Sequence, residues 1–416
     1  MTGLSTNTMN RSAIAAAGKI FREENISRRA QRIVISPIKE MSILADELRD
    51  RTGADIVSFG QGIPFFDTPA YIKQAVRRSL GDPATAKYTL EPGVTELRIA
   101  IGEMLEKTKG LTHVQPKREV MVTVGCQEAA ACALASTVDE GDEVILPSPC
   151  FASHIEQVLQ FGGIPKFVQL DESRGWRLDL DACRAAVTAK TKLIVISNPS
   201  NPTGAVLTKE DLEGLVEIAV KNDLIILSDE TYDFLTYDGV EHFSLASFPR
   251  VRDRVILCGS FSKKYAMTGY RVGYAFADEG ILDHMLKVHD ALAICCPAIS
   301  QAAALAALMG PQDSVQEFRR RLAMNRSLML TELDKMSDVF EYNRPAGAYY
   351  ILSKLKKPDV SSFPLSLKIL EEAHVVVIPG AAFGPGGEGH LRFSFAGVPE
   401  NIVTGFDRLR AWFARQ

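Results

Sequence analysis

Two adjacent lysines, Lys263 and Lys264, follow a short apolar run that is typical of a buried β-strand. They belong to the stretch SFSKKYAMTGYRVGY, which covers residues 260–274. An ammonium ion at the end of a buried strand is costly, so the pKa of such a lysine falls and its neutral amine can attack a carbonyl carbon. The strand pattern alone does not distinguish the two lysines, and a surface turn with two solvated lysines is the alternative.

An acidic residue stands at the end of another strand-like run. The run DLIILSD ends at Asp229, and Tyr232 follows in the next turn. A carboxylate at the end of a buried strand must be paired or hydrogen-bonded, because burying it without a partner is expensive. Asp229 could therefore hold a cationic ligand group, or it could simply cap the helix that follows.

Two features could bind a phosphate. Gly125, Cys126 and Gln127 lie between the strand-like run EVMVTV and an alanine-rich helix, so the helix N-terminus there presents N–H groups with a partial positive charge. An ordinary turn between a strand and a helix is the alternative reading. Arg271, at the end of the stretch that contains the two lysines, supplies a full positive charge.

The prolines of NPSNPTG, residues 198–204, fix the backbone around two asparagines. Asn201 lies between prolines and is placed to point an amide at a ligand, whereas Asn198 is expected only to form the turn. A lysine for an aldehyde, an aspartate for a protonated ring nitrogen, a tyrosine and an asparagine for a phenolic oxygen, and a phosphate site match the functional groups of pyridoxal phosphate.

These residues follow short β-branched runs that alternate with longer helical patterns from about residue 85 onward. The predicted strands are EVMVTV (119–124), DEVILPS (142–148), KLIVIS (192–197), DLIILSD (223–229) and RVILCGS (254–260). This alternation predicts an α/β fold, in which helices cover both faces of a mostly parallel sheet. Ligands of such a sheet bind outside the carboxyl ends of its strands, where the chemical groups above would meet.

The chain from about residue 311 has a different pattern. A long charged helix precedes the strand-like runs AYYILSKL, VVVIP and HLRFSFA and a closing helix, which predicts a smaller α+β domain. We expect a large cofactor-binding domain over 66–310 and a small domain formed by 33–65 with 311–416. Residues 1–32 are expected to form a tail or a docking arm, although the acid-free first 22 residues weakly resemble a transit peptide.

Composition argues against several classes of protein. The formal charge of the 416 residues is −4 with both signs interspersed, which makes nucleic acid a poor candidate partner. The sequence contains no apolar run of about 18 residues, so no membrane span is predicted. Seven cysteines without a CxxC pair favour a reducing cytoplasm, and no metal site is expected.

The chain from about residue 33 resembles the class I/II aminotransferases, enzymes of fold type I that depend on pyridoxal phosphate. The resemblance implies that Lys263 is the Schiff-base lysine, that Ser260 and Arg271 bind the phosphate, and that Lys264 occupies a free position. The family signature around the cofactor lysine is matched by Ser260, Phe261, Ser262, Lys263, Ala266, Met267, Gly269, Arg271, Val272 and Gly273.

The resemblance assigns roles to further residues. It implies that Asp229 pairs with the pyridine nitrogen, and that Tyr232 and Asn201 contact the 3-oxygen of the cofactor. Gly125, Cys126 and Gln127 would hold the phosphate, Phe151 would stack on the ring unless it only packs in the core, Gly62 would lie beside the substrate, and Tyr88 would reach the phosphate of the neighbouring subunit. The last role implies a homodimer with shared active sites.

Arg392 can be assigned partly from strand geometry. In HLRFSFA the residues Leu391, Phe393 and Phe395 share one face of a strand, so Arg392 must point to the other. A planar guanidinium can bind a carboxylate through two parallel hydrogen bonds. The resemblance implies that this is the α-carboxylate of the substrate, and a surface ion pair is the alternative.

The resemblance implies an aminotransferase that moves an amino group between an L-amino acid and a 2-oxo acid by a ping-pong mechanism, with glutamate and 2-oxoglutarate as one pair. The alternative on the same scaffold is a lyase, such as a C–S β-lyase, a decarboxylase or an aminocyclopropane-carboxylate synthase. A DNA-binding regulator and an unrelated binding protein are more distant alternatives. No second cation for a side-chain carboxylate is recognisable in the sequence, which argues against a strict aspartate enzyme without selecting another donor. We expect apolar or aromatic donors.

Overall fold

The computed structural model describes residues 25–33, 35–357 and 360–416. The α-helices of these residues are α1 (Arg28–Arg32), α2 (Pro37–Thr52), α3 (Ala70–Ser79), α4 (Thr95–Lys109), α5 (Pro116–Glu119), α6 (Cys126–Thr137), α7 (Ala152–Gln160), α8 (Leu180–Ala186), α9 (Lys209–Asn222), α10 (Glu279–Ala293), α11 (Ala298–Met309), α12 (Asp313–Asp334), α13 (Ser362–Lys368) and α14 (Pro399–Phe413). The strands are β1 (Val57–Ser58), β2 (Val120–Thr123), β3 (Glu143–Ser148), β4 (Ile164–Gln169), β5 (Thr191–Ser197), β6 (Ile225–Asp229), β7 (Val255–Ser260), β8 (Gly273–Phe276), β9 (Phe340–Tyr342), β10 (Tyr350–Leu355), β11 (Val375–Val376), β12 (Ile378–Pro379) and β13 (His390–Ser394).

The larger sheet has seven strands in the order β2-β8-β7-β6-β5-β3-β4. Strands β7, β6, β5, β3 and β4 run parallel, whereas β8 is antiparallel to both of its neighbours. The central strands are almost wholly buried, as their continuous apolar runs predict for a sheet that is covered on both faces. The α/β prediction is confirmed.

Two strands of this sheet escaped the sequence analysis. Strand β4 lies at the edge and is half-exposed, so its mixed sequence IPKFVQ lacks the apolar run of a buried strand. Strand β8 returns antiparallel directly after the turn that contains Arg271, and this return requires no crossover helix. Helix α9 begins with a capping box, because the side chains of Thr208 and Asp211 accept hydrogen bonds from each other's backbone N–H groups.

The smaller sheet is antiparallel, in the order β12-β13-β10-β9. Helices α12 and α14 pack against each other, and the aromatic rings of Phe59, Phe340, Phe393 and Phe406 contact one another in the core beside this sheet. The short strand β1 pairs in parallel with β11, which joins the N-terminal segment to the C-terminal section. The exact domain boundaries stay a prediction.

Helix α2 runs beside β11 and β12 and buries Met41, Ala45 and Leu48. Helix α1 contacts α7. The rest of the predicted tail or arm, residues 1–24, lies outside the described residues. No described helix combines the length and the apolar character that crossing a membrane requires.

Candidate active site

A cavity of about 510 Å³ opens at the carboxyl ends of β5, β6 and β7 and faces β13. This is the position at which an open α/β sheet binds its ligands. Its size suits a small molecule with a cofactor. Most predicted site residues line it, namely Gly62, Cys126, Gln127, Phe151, Asn201, Asp229, Tyr232, Ser260, Lys263, Arg271 and Arg392.

The two lysines have different surroundings. The Lys263 amine enters the cavity and donates a hydrogen bond of 2.6 Å to the Gly62 carbonyl. Burial, followed by the positive charges of Arg271 and Arg392, lowers the pKa of Lys263 to about 8, although the charge of Asp229 acts in the opposite direction. The Lys264 amine instead lies 5.6 Å from the centre of the Tyr265 ring and does not line this cavity. Only Lys263 can therefore reach a ligand there.

Asp229 is buried at the end of β6. Its Oδ1 accepts the Thr231 N–H at 3.0 Å, and its Oδ2 lies 3.3 Å from Nε2 of His154. Burial alone would raise the pKa of Asp229, but the hydrogen bond and charge of His154 bring it below its usual value. Asp229 is thus a buried anion that can stabilise a cationic group in the cavity. His154, one turn beyond Phe151, was missed in the sequence analysis.

The predicted phosphate turn lies against Arg271. Gly125 has a φ of 78°, and a Cβ added there would lie 2.6 Å from Nη2 of Arg271, so the turn requires glycine. A Cβ on Gly273 of β8 would come within 2.6 Å of the Cys126 nitrogen. Helix α6 begins at Cys126, so its first N–H groups and the Arg271 guanidinium form one positive region. Gly125 itself does not line the cavity.

Tyr232, Tyr349 and Tyr350 form a buried cluster, of which Tyr232 and Tyr350 line the cavity. The hydroxyl groups of Tyr232 and Tyr350 lie 2.7 Å apart, and the Tyr349 hydroxyl donates to the Gly62 carbonyl at 2.7 Å. Burial raises the pKa of Tyr232 well above its usual value, so the phenol is neutral at physiological pH. Tyr349 and Tyr350 belong to AYYILSKL, which the sequence analysis identified only as a strand.

Arg392 points into the cavity from β13, as the alternation along the strand predicts. Only 1% of its surface is exposed, which excludes the surface ion pair. Its Nη1 donates to Oδ1 of Asn201 at 3.0 Å, and its Nη2 donates to the Gly60 carbonyl. Its Nε is buried and has no hydrogen-bond partner among the described residues. The guanidinium is thus held in place by two of its five N–H donors, and among the described residues the other three, including that of Nε, remain for a ligand.

Of three further residues, Phe151 lines the cavity, whereas Asn198 and Tyr88 do not. Phe151 lines the cavity and stands edge-on to His154, with ring centres 5.3 Å apart. Asn198 accepts the Leu207 N–H at 3.0 Å and does not line the cavity, in agreement with a role in the turn. Tyr88 is 78% exposed and lies outside the cavity lining of its own chain.

Helix α2 contributes a cation that the sequence analysis did not recognise. Lys39 lines the cavity together with Ile38, Ile43 and Ile63. The sequence around Lys39 is amphipathic and carries no motif, so its position depends on how α2 packs beside the smaller sheet. The cavity therefore holds a second candidate partner for a carboxylate.

A buried lysine of low pKa, a buried aspartate and an anion-binding helix N-terminus meet at the carboxyl ends of parallel strands. This combination is the one expected of an α/β enzyme whose lysine acts on a carbonyl group. A family model described as aminotransferase class I and II matches residues 54–406, and the chain belongs to this family. It is an aminotransferase, and the enzymes of this family depend on pyridoxal phosphate.

Similar proteins include aminotransferases that are named for different amino acids. The chain is 37% identical to aromatic-amino-acid aminotransferase 2 of Thermococcus litoralis, over 92% of this chain and 97% of that protein. It is 38% identical to an aspartate aminotransferase of Pyrococcus abyssi, over 85% and 91%. The solved structure of Thermus thermophilus aspartate aminotransferase with maleate aligns with a TM-score of 0.87 at 35% identity, over 94% of this chain and 99% of that chain.

Proposed function

We propose that this aminotransferase carries pyridoxal phosphate on Lys263 and moves an amino group between an L-amino acid and a 2-oxo acid by a ping-pong mechanism. The observation that carries the proposal is the Lys263 amine, which enters the cavity at the Gly62 carbonyl and whose pKa of about 8 leaves about a tenth of it neutral at pH 7. The remaining groups of the cavity suit the cofactor. Ser260, Arg271 and the turn of Gly125, Cys126 and Gln127 suit the phosphate, Asp229 suits the ring nitrogen, Tyr232 and Asn201 suit the phenolic oxygen, and Phe151 suits the ring face.

The cofactor, when bound, supplies a ring that absorbs the electron pair of the substrate's Cα–H bond. Asp229 is a buried anion, and it therefore stabilises a proton on a nitrogen that faces it. The neutral Lys263 amine, held at the Gly62 carbonyl, can accept a proton from a neighbouring carbon. Arg392 orients the substrate by binding its α-carboxylate, and its buried site excludes water from that contact.

The charges of the cavity support glutamate and 2-oxoglutarate as one substrate pair. Its lining carries four lysine and arginine side chains, Lys39, Lys263, Arg271 and Arg392, and one carboxylate, Asp229. Arg271 would bind the phosphate and Arg392 would bind the α-carboxylate, which would leave Lys39 for a second carboxylate. The neighbouring Ile38, Ile43 and Ile63 suit an apolar or aromatic side chain in the other half-reaction.

A homodimer with shared sites is part of the proposal. Tyr88 and Leu90 are exposed by 78% and 63%, and Ile294 is exposed by 42%. Gln301 links the segment of Tyr88 and Leu90 to the segment of Ile294. Its side-chain amide donates to the Thr89 hydroxyl and to the Cys296 carbonyl. An exposed apolar surface of this kind supports a protein interface, from which Tyr88 would reach the partner's phosphate. The seven free cysteines support a cytoplasmic location.

The cofactor assignment can be tested with the purified protein. Adding pyridoxal phosphate should produce a visible absorption band that changes with pH. Borohydride should then fix the mass of the reduced cofactor on the peptide that contains Lys263. A protein that stays colourless, or one that is labelled at Lys264, would contradict the proposal.

The reaction products distinguish an aminotransferase from the alternative, a lyase. The loaded enzyme would be incubated with a panel of amino acids, with and without 2-oxoglutarate. An aminotransferase should turn over many times only when the acceptor is present, and it should form glutamate without free ammonia. Ammonia release that continues without an acceptor would support the lyase instead.

A further inference from the structure

Tyr350 contacts both halves of the proposed site. Its hydroxyl lies 2.7 Å from the hydroxyl of Tyr232, the residue proposed to contact the phenolic oxygen of the cofactor. The Arg392 guanidinium lies 4.4 Å above the centre of its ring, and Arg392 is proposed to bind the α-carboxylate. Tyr350 is 2% exposed and lines the cavity, so both contacts are shielded from solvent.

The number of hydroxyl protons fixes the direction of the bond between the two tyrosines. A phenol has one proton to donate. If Tyr232 donates its proton to the oxygen of a ligand, it must accept the proton of Tyr350. The nearby Tyr349 is engaged, because its hydroxyl donates to the Gly62 carbonyl. Burial raises the pKa of Tyr350 as well, so its proton remains in place at neutral pH.

We propose that Tyr350 is a positioning residue, whose hydroxyl strengthens Tyr232 as a donor and whose ring fixes the plane of Arg392. The inference rests on the proposed function, because it assumes that Tyr232 and Arg392 bind cofactor and substrate. The two effects belong to different atoms of one side chain. Tyr350→Phe removes the hydroxyl alone, and the effect of the ring follows from comparing Tyr350→Phe with Tyr350→Leu.

The Tyr350 hydroxyl should shift the pH at which the visible band changes in one predictable direction. A donor that itself accepts a hydrogen bond is polarised and donates more strongly. Tyr232 then withdraws more charge from the ligand oxygen, which makes the adjacent nitrogen on Lys263 less basic. Removing the Tyr350 hydroxyl weakens this withdrawal. The pH at which the visible band of the loaded enzyme changes should therefore rise.

The ring effect concerns substrate binding. Tyr350 and Phe383 place their ring centres 4.4 and 5.0 Å from the Arg392 guanidinium carbon. A buried ring attracts a guanidinium and holds it parallel to its face. The hydrogen bonds to Asn201 and Gly60 fix the two terminal nitrogens, and the ring limits the tilt of the guanidinium around them. Losing the ring should weaken binding of the α-carboxylate.

The experiment compares Tyr350→Phe and Tyr350→Leu, with spectral titration and steady-state kinetics on each loaded enzyme. Tyr350→Phe should raise the midpoint pH of the band by about 0.5 to 1 unit, because one polarising hydrogen bond of ordinary strength is lost. Its KM for amino acids should change less than about 3-fold. Tyr350→Leu should raise KM about 10-fold or more, because the cation–π contact is lost as well. An unchanged midpoint in Tyr350→Phe would overturn the hydroxyl role, and an unchanged KM in Tyr350→Leu would overturn the ring role.

Two controls separate this role from a general loss of packing. Tyr237 is also buried, and its hydroxyl donates to the Ala348 carbonyl at 2.7 Å without lining the cavity. Tyr237→Phe should leave the midpoint of the band unchanged. In a Tyr232→Phe background, Tyr350→Phe should give no further shift, since the hydroxyl acts through Tyr232. An equal shift in both backgrounds would contradict the inference, whereas a wild-type enzyme without any band would overturn the proposed function itself.

Discussion

At the scale of single residues, Lys263 and Lys264 are neighbours in sequence with different environments. The Lys263 amine donates to the Gly62 carbonyl inside the cavity, while the Lys264 amine lies over the Tyr265 ring. Lys263→Ala should abolish turnover, because it removes the amine that is proposed to carry the cofactor. Lys264→Ala should keep most of the turnover. Its folding stability should fall by about 1 kcal/mol, because the cation–π contact with Tyr265 is lost. Turnover and thermal unfolding measure both effects, and an active Lys263→Ala variant would contradict the assignment.

The pKa of Lys263 predicts how capture of the cofactor depends on pH. With a pKa of about 8, the neutral amine increases about 10-fold between pH 7 and pH 9 and then stays constant. The rate at which the cofactor-free protein gains its visible band should follow this curve. An ordinary lysine would instead continue to accelerate up to about pH 10. Arg392→Gln should move the plateau to higher pH, because a positive charge that lowers the pKa of Lys263 is removed.

Lys39 predicts a substrate preference that depends on charge. Lys39→Gln should lower kcat/KM for glutamate about 5-fold, since an ion pair at an exposed position contributes about 1 kcal/mol. The value for phenylalanine should not fall, because the isoleucines beside Lys39 remain. Lys39→Arg keeps the charge and serves as the matched control. Equal losses for both substrates would show that Lys39 acts only on its protein neighbours, such as Glu156.

Some of these residues could be predicted from the sequence and others could not. The inward direction of Arg392 follows from strand alternation, because Leu391 and Phe393 point to the core on the opposite face. The choice of Lys263 over Lys264 required the family signature. His154, Tyr350 and Lys39 reach the cavity only because a helix or strand from another part of the chain packs there. Such contacts depend on tertiary packing and leave no local pattern.

At the scale of elements, α6 and α10 together hold the phosphate turn. Glu128 of α6 accepts the Val124 N–H that precedes Gly125. Its other oxygen lies 3.0 Å from Nδ1 of His289 on α10, whose side chain is fully buried. Losing His289 would leave a largely buried carboxylate short of one partner, which costs about 1 to 3 kcal/mol. The turn should then be held less firmly.

His289→Leu should weaken binding of pyridoxal phosphate about 10-fold, as measured by titrating the cofactor-free protein. The matched control is His284→Leu, on the same helix, because His284 is exposed and its Nδ1 lies 3.0 Å from the carbonyl of Gly280 on its own helix. This control should bind the cofactor as the wild type does. If His289→Leu lowered the melting temperature without changing cofactor affinity, the contact between Glu128 and His289 would stabilise the fold without holding the phosphate turn.

The elements that were predicted share one property. Strands β3, β5, β6 and β7 are covered on both faces, so their burial appears directly as uninterrupted apolar runs. Strand β4 has one open face, β8 is short and antiparallel, and β9 has three residues. Their pairing is decided by neighbours that are distant in sequence, which local patterns do not record.

At the scale of the whole molecule, the proposed dimer can be tested by mixing two defective chains. Tyr88→Ala keeps its own Lys263, and Lys263→Ala keeps its own Tyr88. If Tyr88 completes the site of the partner, each hybrid dimer contains one complete site and one that lacks both residues. An equal mixture should therefore recover about a quarter of the wild-type sites, since about half of the dimers are hybrids.

The hybrid experiment has a clear negative outcome. If Tyr88 served its own chain, no hybrid would contain a complete site, and mixing would restore nothing. The two variants would be expressed with different tags, so that hybrids can be purified and counted by mass. The turnover of each variant alone supplies the baseline.

The residues proposed to bind the cofactor and those proposed to bind the substrate belong to different parts of the fold. Asp229 ends a strand of the seven-stranded sheet, and Tyr232 and Lys263 follow two of its strands. Arg392 lies on the smaller sheet and Lys39 on α2. Redesign of the enzyme can use this separation. A mutant library confined to the cavity side of α2 would vary which amines are accepted and leave the reacting groups untouched, so new donors could be selected without rebuilding the catalyst.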